Sequence, residues 1–92
     1  MTKKHRSKIK LLIDILDSVE ENPETNLSYI SLKANIPHNR LKPIINRLHK
    51  RGLINIEQKD RKTIRVSLTE EGYRFLMELK TLYKILTQIG LD

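Results

Sequence analysis

The spacing of apolar residues changes twice along these 92 residues, and that change confines the fold more than any other property of the chain. From Ile9 to Leu48 apolar positions recur every three or four residues. From Ile54 to Leu68 they alternate, and from Phe75 to Ile89 the helical spacing returns. A period near 3.6 puts apolar side chains on one face of a helix, and a period of 2 puts them on one face of a strand. The expected order is helix, helix, helix, hairpin, long helix.

The punctuation agrees with the periods. Ile9, Leu12, Ile13, Leu16 and Val19 form the buried stripe of a first helix over 7–21, with Ser7 as its N-cap and Asn22-Pro23 as its stop. Ser28 is the expected cap of a short second helix ending near Ala34, with Leu27 and Leu32 as its hydrophobic staple. A third helix buries Leu41, Ile44, Ile45 and Leu48, with His49 at the core's edge, and ends at Gly52 with Leu53 completing a Schellman motif. It carries Pro43 inside it, on the face away from the core, where a loosened first turn is expected. In the hairpin, Ile54 and Ile56 share a face with Ile64, Val66 and Leu68. Pairing Ile56 with Ile64 and Ile54 with Val66 requires an odd loop, 59–61 or 58–62, and the lack of a glycine for a three-residue bulged turn favours the five-residue one. Thr69 caps the last helix, Glu70 and Glu71 complement its dipole, and Gly72 allows a close backbone approach.

A helix-turn-helix followed by a hairpin wing and a closing helix is an α+β fold, mostly α: a winged helix-turn-helix with a long C-terminal helix. The expected division is a basic flexible arm over 1–6, the winged domain over 7–69 and the C-terminal helix over 70–90. In that last helix Phe75, Leu79, Leu82, Leu86 and Ile89 follow a 4-3-4-3 spacing, widened by Leu76 and Tyr83. Phe75, Leu79, Leu82, Tyr83, Leu86 and Ile89 are therefore the expected homodimer interface. The alternative is that the helix folds back on Leu12 and Leu16 of its own chain.

Charge is distributed in blocks. Residues 1–10 hold five Lys or Arg and no acid, and residues 11–32 hold five acids and no Lys or Arg. Residues 33–65 carry ten basic residues against Glu57 and Asp60. Such segregation, in a chain of net charge +7, points to a polyanionic partner. No cysteine is present, so disulfides, thiolate chemistry and Cys-based zinc sites are excluded. The histidines His5, His38 and His49 lack metal-ligand spacing, and there is no glycine-rich phosphate loop. Neither an enzyme activity nor a cofactor is expected. No apolar run reaches the ~18 residues of a membrane span, so a cytoplasmic protein with no membrane partner is expected.

Three stretches, "RSKIKLLIDILDSVEEN", "KANIPHNRLKPIINRLHKRGLI" and "VSLTEEGYRFLMEL", resemble the archaeal ArnR-like winged-helix proteins over about residues 6–80. Small archaeal chromatin-type proteins of similar build add a C-terminal coiled coil. The resemblance implies double-stranded DNA as partner, with the third helix in the major groove and the wing on an adjacent groove. On that helix Asn39, Pro43, Asn46 and Lys50 point directly outward, flanked by Arg40, Lys42 and Arg47. Asn39, Lys42, Asn46 and Arg47 are candidates for base edges, since Asn matches adenine and Arg matches guanine bidentately. Lys50 and Arg51 suit phosphates, as does His38 beside the free N–H groups of the helix start. Lys59, Arg61 and Lys62 occupy the wing, Arg65 is a weaker candidate on its solvent face, and "KKHRSKIK" is expected to be a flexible arm adding phosphate contacts. A homodimeric regulator, a sequence-tolerant architectural protein and a winged-helix protein-interaction module all fit this reading.

Overall fold

The computed structural model describes residues 6–22 and 24–91. Its elements are α1 (Lys8–Glu21), α2 (Leu27–Ala34), α3 (His38–Lys50), β1 (Ile54–Gln58), β2 (Ile64–Leu68) and α4 (Glu70–Gln88). Residues 1–5 of the expected arm lie outside the described residues. The winged helix-turn-helix architecture is as expected, mostly helical with one antiparallel hairpin.

Helix α1 is the hub, packing against α2, α4 and β2, while α3 touches the rest of the fold through α2 and β1. One core runs through all six elements: Ile13, Ile15, Leu16 and Val19 of α1, Ile30 and Ala34 of α2, and Leu41, Ile45 and Leu48 of α3 close on Ile54, Val66, Leu76 and Leu79. Ile44 is only half-buried, and His49 is fully outside rather than at the core's edge. One residue after Leu48, His49 has stepped about 100° around the helix onto solvent.

The caps follow the side-chain chemistry with one correction. Ser7 Oγ accepts the Lys10 N–H at 3.1 Å, and Thr69 Oγ1 accepts that of Gly72 at 2.9 Å. Helix α2, however, is capped by Asn26, whose Oδ1 accepts the Tyr29 N–H at 2.8 Å, and not by Ser28. Asn ranks with Ser as a cap, and the earlier start lengthens α2 by two residues. The expected staple fails with it, because Leu32 is 79% exposed. Gly52 sits at φ +73 while Leu53 N–H bonds Leu48 O and Gly52 N–H bonds His49 O, which is the Schellman pattern.

The hairpin keeps its faces but slips by two residues. Ile54 pairs with Leu68, Ile56 with Val66 and Gln58 with Ile64, so the five-residue loop spans 59–63 rather than 58–62. A two-residue slip preserves which side chains face inward, so the apolar alternation could not distinguish the two registers. A contact outside the expected hairpin anchors β2: Thr25, between α1 and α2, bridges Val66, whose N–H donates to Thr25 O at 2.7 Å. Thr25 is fully buried and its hydroxyl donates to the Asn22 carbonyl.

Candidate nucleic-acid interface

Helix α3 has no side-chain cap, since Pro37 precedes it, and its first intrahelical bonds run from Arg40 and Leu41 to Pro37 O. It continues through Pro43, which is exposed. All the expected reading residues are exposed: His38, Asn39, Arg40, Lys42, Asn46, Arg47, Lys50 and Arg51 on or just beyond α3, and Lys59, Arg61 and Lys62 on the wing. The inward face of α3 is spent on Leu41, Ile45 and Leu48, and the polar face opposite is exposed.

Ion pairing divides the cations of this chain into two sets. Arg6 and Lys10 pair with Asp14, Lys33 with Glu21, Arg74 with Glu70 and Lys80 with Asp17. Arg65 pairs with Glu57 across the hairpin and reaches Glu24 at 3.9 Å, so this weaker wing candidate is neutralised within the chain. Among the described residues, Arg40, Lys42, Arg47, Lys50, Arg51, Lys59, Arg61 and Lys62 have no such partner, and only Lys8 and Lys84 share that condition elsewhere. Unneutralised positive charge is thus concentrated on α3 and the wing.

The two elements meet at a cleft of about 490 Å3. His38 and Lys42 of α3 face Gln58, Arg61, Lys62 and Thr63 of the wing across it, and Asn26 and Ser28 at the start of α2 close a third side. No acid lines the cleft. Asn26, Ser28, Gln58 and Thr63 were not candidates from sequence, because the spacing along one helix says nothing about what another element brings beside it.

The wing tip is built without glycine. Lys59 and Asp60 N–H groups both reach Thr63 O, at 2.9 and 3.3 Å. Asp60 Oδ1 accepts from the N–H groups of Lys62 and Thr63 at 3.0 and 2.9 Å, and Gln58 donates to the Asp60 carbonyl. Those N–H groups, Lys62's first, hold the Asp60 carboxyl below its ordinary range, with Thr63 and the charge of Lys59 adding to the effect. The one acid of the tip is therefore used to fold it, leaving Lys59, Arg61 and Lys62 outward.

Helix α4 divides the expected dimer residues. Leu79 is buried in the chain's own core, Phe75 and Tyr83 are half-buried against that core, and Leu86 is half-buried. Leu82 and Ile89 remain 45% and 61% exposed, joined by Ile85 at 49%, which the heptad reading had omitted. With Arg74, Met77, Glu78 and Thr81, Leu82 and Ile85 line a shallow apolar groove. Among the described residues no group of acids and histidines is arranged to hold a metal, and no helix is long and apolar enough to cross a membrane.

A family model described as winged helix-turn-helix matches residues 5–87. No curated protein sequence matches the chain. Among solved structures, the DNA-binding protein Sso10a-2 from Sulfolobus solfataricus is similar with a TM-score of 0.82 at 21% identity, over 91% of this chain and 85% of that one. The PcaV transcriptional regulator from Streptomyces coelicolor has a TM-score of 0.79 at 18% identity, over 86% of this chain. This chain spans only 60% of PcaV's length. AF1382 from Archaeoglobus fulgidus has a TM-score of 0.71 at 23% identity, over 87% of this chain and 90% of that one. At these identities the similarity is one of fold.

Proposed function

The chain belongs to the winged helix-turn-helix family, and on that premise we propose that it is a DNA-binding protein. We place it as a homodimeric transcriptional regulator of the ArnR-like kind, acting at the nucleoid, with α3 in the major groove and the wing on an adjacent groove. The observation that carries this is the sorting of cations. Acids cancel the basic residues on the flanks and leave those of α3 and the wing free, which is the electrostatic footprint of a phosphate-binding face. On that face Asn39 and Asn46 offer the donor–acceptor pair that matches adenine, and Lys42 and Arg47 suit guanine. Lys50, Arg51, Arg40 and His38 lie where phosphates flank a helix inserted in the groove, and Lys59, Arg61 and Lys62 supply the wing contacts. Sso10a-2, described as a DNA-binding protein, and PcaV, described as a transcriptional regulator, share this fold, which supports the reading by analogy.

Dimerisation would employ the part of α4 that the core leaves uncovered. Leu82, Ile85 and Ile89 form one strip beside the half-buried Phe75, Tyr83 and Leu86. Covering the strip with its counterpart stabilises the pair by several kcal/mol, at roughly 25 cal/mol per Å2 of apolar surface.

The test is fluorescence anisotropy with duplex DNA over a range of salt. Contact with about six phosphates makes log K fall against log salt with a slope near −5, at about −0.9 per phosphate. Affinity that hardly changes between low and moderate salt sinks the DNA reading and leaves a protein-interaction module. Selection of bound duplexes from a random pool then separates a regulator, which enriches a sequence, from an architectural protein, which does not.

A further inference from the structure

Arg6, assigned by charge pattern to the arm, is tied down in the fold. Its guanidinium donates through Nη1 to Asp14 Oδ2 at 3.0 Å and to the Ala34 carbonyl, and through Nη2 to the Asn35 carbonyl at 3.3 Å. Ala34 ends α2, and Asn35 is its C-cap, held in the left-handed region at φ 53. Carbonyls at a helix C-terminus lack intrahelical partners and carry the negative end of the dipole, so a guanidinium there satisfies both needs at once. Asp14 also accepts from Lys10 Nζ at 2.8 Å, one turn back along α1. That ammonium lies 5.8 Å from the ring centre of Tyr83 on α4. A continuous polar connection thus runs from α4, across α1, to the turn between α2 and α3.

The turn matters because little else aims α3. That helix packs mainly on α2 and β1 and begins without a side-chain cap. On its inner side the turn is held by Ser31, whose hydroxyl donates to Ile36 O while its carbonyl accepts the Ile36 N–H at 3.1 Å. On its outer side it is held by Arg6.

We propose that Arg6, Asp14 and Lys10 form a strut of positioning residues that fixes the α2–α3 turn relative to α1 and α4 and so aims the reading helix. What the helix reads rests on the DNA-binding assignment; the strut itself does not. Arg6 and Lys10 are spent inward, so they are not phosphate contacts, although they belong to the most basic block of the sequence.

The sign of one substitution separates this from simple electrostatics. Asp14→Asn removes a negative charge, which by itself tightens binding to a polyanion. The strut requires the opposite: a single amide oxygen cannot pair with both cations, the turn loosens, and affinity falls by about tenfold, or ~1.4 kcal/mol. Arg6→Ala weakens binding similarly without changing the salt slope, because no phosphate contact is lost. Arg6→Lys, which can hold Asp14 but not the two carbonyls together, falls in between. Lys80→Ala is the control. It breaks the other α1–α4 pair, Asp17 with Lys80 at 2.8 Å, which does not reach the turn, so it lowers stability and leaves DNA affinity unchanged.

The amide resonances of Asn35, Ile36, His38 and Asn39 give a readout without DNA. They shift and exchange faster in Asp14→Asn and Arg6→Lys, and keep their wild-type positions in Lys80→Ala. Unchanged amides, unchanged or tighter DNA binding by Asp14→Asn, or a slope reduced by about 0.9 in Arg6→Ala each overturns the strut. If the wild-type protein binds no DNA, the functional reading fails, and the amides alone decide the strut.

Discussion

Gly72→Ala sets two physical terms of opposite sign against each other. Alanine in place of glycine inside a helix is favourable by about 1 kcal/mol on propensity alone. In this fold, however, a Cβ at position 72 stands 1.8 Å from the carbonyl oxygen of Leu53 and 2.8 Å from its carbon. Both obstructing atoms are backbone, so no rotamer relieves the clash. To regain even a tight contact near 3.0 Å the first turn of α4 must retreat by more than an ångström. That turn is pinned by Thr69, whose N–H donates to Leu53 O at 3.1 Å and whose hydroxyl donates to Gly52 O at 2.7 Å. Stretching both bonds costs about 1 kcal/mol each. Withdrawing the fully buried Leu76, one turn on, adds roughly 1–2 kcal/mol of lost packing. After the propensity gain, the net loss is about 2 kcal/mol, or roughly 10 °C in melting temperature for a domain of this size. Urea unfolding followed by circular dichroism measures it directly. A Gly72→Ala variant more stable than wild type would refute the close approach of α4 to the Leu53 carbonyl.

Pro43→Ala acts the other way: it restores a helix hydrogen bond at an exposed site and raises stability by ~1 kcal/mol or more, and a lower urea midpoint would show that the fold depends on the proline. Ile85→Lys combined with Ile89→Lys, at residues the core does not use, converts the proposed dimer to a monomer in light scattering while circular dichroism stays native; a wild-type protein already monomeric at micromolar concentration refutes the interface. Asp60 titrates below the ordinary carboxylate value, so its contribution to wing-tip order is present above about pH 4 and is lost as pH falls through the folded value. The Lys62 and Thr63 amide resonances should accordingly stay constant from neutral pH to near 4.5 and move only below about 4; a transition at pH 5 or above contradicts the hydrogen bonding of the tip. Asp60→Asn, which keeps an acceptor but loses the charge that the tip N–H groups favour, should show at neutral pH the Lys62 and Thr63 amide shifts that acid produces in the wild type.

Much of the fold was legible because helical and strand periods are local. Ser7, Thr69 and the Gly52-Leu53 stop act on backbone groups within a few residues, and each is found where the spacing placed it. The exposed face of α3 was legible for the same reason, since Leu41, Ile45 and Leu48 define its opposite side. The misreadings share a cause. Asn26 and Ser28 are comparable caps two residues apart, and only the packing of α2 chooses between them. The hairpin slip of two leaves every apolar residue on its face, so the alternation allows both registers and only the folded pairing distinguishes them.

The sequence by itself determined the order of elements, the caps of α1 and α4, and the side of α3 that is free to read. Those follow from period and from short-range hydrogen bonding. Only the tertiary structure decided which cations are free. Arg6, Lys10, Lys33, Arg65 and Lys80 look no different in sequence from Lys42, Arg47 or Arg61, yet each of the first five meets a carboxylate from elsewhere in the fold or one turn away. It also divided the apolar stripe of α4 between the chain's own core and an open strip at Leu82, Ile85 and Ile89. Charge cancellation and burial depend on distance in space, and for residues far apart in the chain that distance exists only after the helices have packed.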